Sequence, residues 1–127
     1  MISINKFPKG EHLCSSKRID SLFSEGKSFS VFPIRCVYRL SKDEEQGVKI
    51  LFNVPKKKFK LAVHRNKIKR RMKESYRLNK NELLDLCISN KIALNIAFLY
   101  ISDKPADYKV IEEKTIQAID KIINILK

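Results

Sequence analysis

The sequence predicts an α/β (α+β) sandwich: a small mixed, mostly antiparallel sheet of about four strands with three helices, in the order α-β-β-(β)-α-β-α. Three observations carry the prediction. Apolar and polar residues alternate in two runs, 29–40 and 48–54. A nearly unbroken apolar run, IALNIAFLYI at 92–101, fits a strand covered on both faces. Around these, apolar residues recur at helical spacing, and helices layered on a sheet bury both kinds of surface.

Residues 1–14 read as an irregular N-terminal arm, because Pro8 and Gly10 interrupt regular structure. Ser15 or Ser16 can cap the helix that follows over 16–25, where Ile19, Leu22 and Phe23 fall at i, i+3 and i+4 and Gly26 supplies a stop. From Phe29 to Leu40 the period is two. Phe32, Ile34, Cys36, Tyr38 and Leu40 share one face, and Val31, Arg35, Val37 and Arg39 share the other. Pro33 places this strand at a sheet edge or delays its start until after the proline. The polar run SKDEEQG at 41–47 separates it from Val48, Ile50, Phe52 and Val54, so the two runs are expected to pair as an antiparallel hairpin.

Pro55 and Lys56–Lys58 end the second strand. A helix over 62–77 follows, and its continuation into NELLDLCI passes a kink near 79–81. After the apolar strand, SDKPAD forms a loop with Asp107 as a cap. Ile111, Thr115, Ala118, Ile119, Ile122 and Leu126 then make one stripe of the last helix, with Glu112, Glu113, Lys114 and Lys121 outside.

The 127 residues are expected to form one domain. The charge is the informative bulk property: 27 Lys and Arg against 14 Asp and Glu, net +13. Such an excess strains a compact chain by self-repulsion unless a polyanion binds it. Nucleic acid leads over an acidic membrane surface and over charge that serves solubility alone. Cys14, Cys36 and Cys87 are far apart and odd in number, which suggests neither a disulfide framework nor a zinc ribbon. The N-terminal stretch lacks an apolar signal-like core and no run of 18 apolar residues occurs, so a cytoplasmic protein that does not span a membrane is expected.

The charge is concentrated. Seven of the sixteen residues of AVHRNKIKRRMKESYR, 62–77, are Lys or Arg, and Glu74 is the only acid. At 100° per residue Ile68, Met72 and Tyr76 form one stripe that should pack on the sheet. Asn66, Arg70, Lys73 and Arg77 lie near the opposite side, flanked by Lys69 and Arg71. The outward row from 66 to 77 spans about 16 Å of helix, enough to face several phosphates. Lys56, Lys57 and Lys58 join the patch if the strand end lies beside the helix start. The apolar stripe is narrow and no Trp is present, which disfavours a membrane-surface helix.

The run KKKFKLAVHRNKIKRRMKESYR resembles the signature of the protein subunit of bacterial ribonuclease P. Arg65, Asn66, Ile68, Lys69, Arg70, Lys73 and Glu74 match that pattern position by position. Lys67 stands where the family usually has Arg, which keeps charge but loses a forked donor. LFSEG at 22–26, VPKKK at 54–58, the apolar strand and the last helix fall in the family's order, so the resemblance covers roughly 12–126. It implies that the protein assists endonucleolytic removal of the 5′ leader from precursor tRNA. The chemistry would lie on the RNA subunit, with Mg2+ at an RNA-based active site. No catalytic protein side chain, no metal or cofactor held by the protein, and no obligate protein partner are then expected. Lys56, Lys57, Lys58, Arg65, Asn66, Lys67, Lys69, Arg70, Lys73 and Arg77 would bind the RNA subunit.

The resemblance further implies a cleft for the single-stranded leader, where aromatic platforms beside cations suit sequence-tolerant binding. Phe23, Tyr38, Arg35 and Ile19 are its candidates. The competing reading is that Phe23, Tyr38 and Ile19 are core. Ile19 fits that best and Phe23 fits either, while the Tyr38 hydroxyl suits a wet edge. Three other functions share the charge logic: a ribosomal or general RNA-binding protein, an autonomous nuclease, and an interaction domain for an acidic protein.

Overall fold

The computed structural model describes residues 11–41 and 46–127. Most of the predicted arm, and the centre of the polar loop at 42–45, lie outside the described residues. The elements are α1 (Ser16–Glu25), β1 (Lys27–Val31), β2 (Ile34–Ser41), β3 (Gly47–Asn53), α2 (Ala62–Asn79), α3 (Asn81–Ser89), β4 (Ala93–Tyr100) and α4 (Tyr108–Leu126). One mixed sheet of order β1-β2-β4-β3 carries helices on both faces. The sandwich is as expected, with four helices rather than three, because the kink at Lys80 separates α2 from α3.

Two pairing expectations are corrected. The run 29–40 is not one strand: the chain turns at Phe32 and Pro33, and β1 pairs antiparallel with β2, Val31 opposite Ile34. Nor do β2 and β3 form a hairpin. β4 lies between them, antiparallel to β2 and parallel to β3. The physical reason is the composition of β4. Seven of its eight residues are buried, and a strand apolar on both faces gains most when it also has a strand on each side. The parallel β3–β4 pair then needs a long crossover, which α2 and α3 supply.

The sheet's two faces are unequal. Ile34, Cys36, Ile50, Phe52, Leu94, Ile96 and Phe98 form the main core with α2, α3 and α4. The other face has a small core of Leu13, Leu22, Val37 and Ala97 beneath α1. Since α1 has ten residues, it covers only part of that face. The last residues of the arm are ordered against the sheet edge: Leu13 N donates to Ile50 O at 3.0 Å. Glu11 pairs at 2.5 Å with Lys80, whose side chain is 2% exposed at the α2–α3 junction.

Ser15 is the α1 cap, accepting from Arg18 N at 3.4 Å. Gly26 ends the helix, but its φ is an ordinary −74°. Its role is close approach. A Cβ there would collide with Leu22 O and lie 2.8 Å from Tyr38 O, both backbone atoms. Gly26→Ala should therefore push α1 off β2 and cost about 1–3 kcal/mol in urea unfolding. An unchanged unfolding midpoint would show that the two elements are not held in this contact.

Candidate nucleic-acid interface

Helix α2 is anchored by the stripe its periodicity predicts. Ile68 is 1% exposed, and Met72 and Tyr76 are fully buried. The Tyr76 ring meets Phe52 and Phe98 edge-on, at 6.0 and 6.3 Å between centroids. Like charges at i, i+4, such as Arg65 with Lys69 and Lys69 with Lys73, each cost about 0.2–0.5 kcal/mol. Each buried apolar side chain contributes about 1.5–3 kcal/mol. Burial wins, so the helix forms despite its charge.

The cations on α2 divide into two sets. Arg65 Nη1 donates to the carbonyls of Phe59 at 2.8 Å and Lys60 at 2.9 Å, fastening the loop before the helix. Arg71 Nη1 donates to Ala106 O at 2.5 Å, fastening the connection to α4. Arg77 grips Glu74 through Nε and Nη2, at 3.1 and 2.5 Å, and these bonds hold the Glu74 carboxyl below its usual range. Asn66, Lys67 and Arg70 are exposed, Lys69 and Lys73 half-buried, and none of these four cations makes an ion pair among the described residues. The His12 ring approaches this row. Partial burial, then the charge of Lys73, hold it below the usual imidazole range.

Lys56, Lys57 and Lys58 are exposed in the turn after β3. Lys58 also lines a cleft of about 580 Å3 on the half-covered sheet face, beside α1. Phe23, Ser28, Arg35 and Asn53 line it too. Phe23 is 49% exposed at its rim, and Arg35 Nη2 donates to Ser28 Oγ at 3.2 Å. The basic helix and the cleft thus meet at residues 55–60.

Of the leader candidates, Phe23 and Arg35 come together here. Ile19 packs, half-buried, in the core beneath α1. Tyr38 lies on the opposite sheet face, only 9% exposed, with its ring 6.0 Å from Phe29, so burial rather than a wet edge describes it. Strand parity carried this information: Arg35 and Val37 share a face from which Tyr38 points away. Ser28 and Asn53 were not singled out in the sequence. They join the cleft only because β1 folds back on β2 and β3 lies beyond β4.

A family model described as Ribonuclease P matches residues 7–122. The chain belongs to the ribonuclease P protein family. It is 38% identical over 115 residues to the ribonuclease P protein component of Porphyromonas gingivalis, covering 90% of this chain and 84% of that one. The ribonuclease P protein component of Chlorobium phaeobacteroides is 35% identical over 112 residues, covering 81% and 77%. Among solved structures, the ribonuclease P protein of Staphylococcus aureus superposes with a TM-score of 0.72 at 20% identity, covering 94% of this chain and all of that one. That of Thermotoga maritima gives 0.68 at 21% identity, covering 87% and 96%. These superpositions establish the fold.

Among the described residues no three His, Cys, Asp or Glu side chains are grouped to hold a metal. No described helix is long and apolar enough to cross a membrane. The division of the cations has a measurable consequence. Arg65→Ala should destabilise the fold by about 1.5–3 kcal/mol, since charged hydrogen bonds are lost. Arg70→Ala should stay within about 0.5 kcal/mol of the parent. Equal effects on denaturant unfolding would contradict the division.

Proposed function

We propose that this protein binds the RNA subunit of ribonuclease P through the outward face of α2 and the 55–60 turn, and holds the single-stranded 5′ leader of precursor tRNA in the adjoining cleft. One observation carries the reading. Arg65, Arg71 and Arg77 are engaged within the protein, while Asn66, Lys67, Lys69, Arg70 and Lys73 face outward together. Lys56–Lys58 extend that surface toward the cleft. Such a row suits the phosphates of a folded RNA, with the Asn66 amide able to donate and accept at base edges or 2′-hydroxyls.

In the cleft, the Phe23 ring offers a stacking face, and Arg35 and Lys58 offer charge to the leader's backbone. Binding leader and RNA subunit together favours precursor over mature tRNA. Hydrolysis, and the Mg2+ it needs, are assigned to the RNA; the protein's share is to place the substrate. With Mg2+, the protein alone should leave precursor tRNA intact, and adding the RNA subunit should restore leader removal. In that reconstituted enzyme Phe23→Ala should lower the preference for leader-bearing over leaderless tRNA about tenfold, the size of one base stack. Cleavage by protein alone would overturn the assignment of chemistry, and an undiminished preference would overturn the cleft assignment.

A further inference from the structure

A second concavity lies on the flank of α2. His64, Lys67, Ile68 and Arg71 fall at i, i+3, i+4 and i+7, so they share one side of the helix. That side faces the connection from β4 to α4, and between them is a groove of about 380 Å3, closed by Phe59, Pro105 and Asp107. The volume is within the roughly 300–1,000 Å3 of small-ligand sites.

The lining has three chemistries in one place. Its floor is apolar and fixed: Ile68 is 1% and Phe59 7% exposed, and the Phe59 ring rests 5.9 Å from that of Tyr100. Its walls carry Lys67 and Arg71, and the bond to Ala106 O holds the Arg71 guanidinium in place while leaving further N–H groups to donate. Opposite stands Asp107, at the cap of α4 but with no side-chain cap bond. An apolar floor takes the flat face of a base, cations take a phosphate, and a carboxylate accepts from an exocyclic amine or a ribose hydroxyl. A purely lipidic or purely anionic ligand would use only part of this lining.

We propose that this groove receives a single unpaired nucleotide of the RNA bound on α2. The inference rests on the reading of α2 as an RNA-binding face and deepens it. Lys67 links the two: it lines the groove and also borders Asn66 and Arg70 of the outward row. A strand following that row can turn one base over the edge of the helix. A base held in a duplex is stacked and cannot.

The test uses the full chain, labelled with 15N, and two RNA hairpins with the same stem, one carrying a single-nucleotide bulge. The bulged hairpin should shift the amide signals of His64, Ile68, Arg71 and Asp107 together with those of the outward row, while the paired hairpin shifts the row alone. Adenosine monophosphate should shift the groove signals saturably, and inorganic phosphate at equal concentration should shift them much less. In the His64→Ala/Asp107→Ala variant the preference for bulged over paired RNA should fall about tenfold, as for loss of one charged hydrogen bond to the base or ribose. A row response without a groove response, or a groove response equal for both hairpins, overturns the proposal while leaving the RNA face intact. No response of the row to either hairpin rejects the RNA face, and the proposal falls with it.

Discussion

The structure depends on the seat of α2. The parallel pair β3–β4 can be joined only by a crossover that returns the chain to the same end of the sheet, and α2 is the longer part of that crossover. Three aromatic rings fix it there. Phe52 from β3, Phe98 from β4 and Tyr76 from α2 meet edge-on, each pair within 5.9–6.3 Å. Such pairs add about 0.5–1.5 kcal/mol each beyond the area they bury. Without that anchor, the densest positive charge in the chain would have no reason to be helical or to stand in one row.

Fixing the helix also sorts its charges. Once Ile68, Met72 and Tyr76 face inward, Arg65 and Arg71 lie at the flanks, where loop carbonyls are in reach. Guanidinium groups are suited to this use because several N–H donors leave one plane and stay charged. Among the described residues, those farthest from the sheet have no such partners. Under the proposed function they are the ones that would meet RNA, and the loops fastened by the flanking arginines form the border with the cleft and the wall of the flank groove. The same helix thus holds the protein together on one side and presents charge on the other.

Much of this was legible in the sequence, for reasons that are local. The stripe 68/72/76, the break after Asn79, the Ser15 cap and the α4 face all follow from periodicity and capping. Strand order was not legible, since alternation says which face a residue takes but not which strand lies beside it. That one gap explains both the expected β2–β3 hairpin and the absence of Asn53 from the expected cleft. Tyr38 was misplaced although the signal was present: it alternates with Arg35 along one strand, so the two cannot share a cleft whichever sheet face carries three helices. The internal roles of Arg65 and Arg71 were hidden as well, because a backbone carbonyl leaves no trace in composition.

The central claim is that the outward cations of α2 exist to neutralise RNA phosphates, and salt dependence measures that number directly. Affinity for the RNA subunit should be determined from 50 to 200 mM salt for the parent and for Lys69→Ala/Arg70→Ala/Lys73→Ala. The account predicts a steep log–log slope for the parent, shallower by about 3 in the variant, as three phosphate contacts are removed. A variant whose slope and affinity equal the parent's would contradict it.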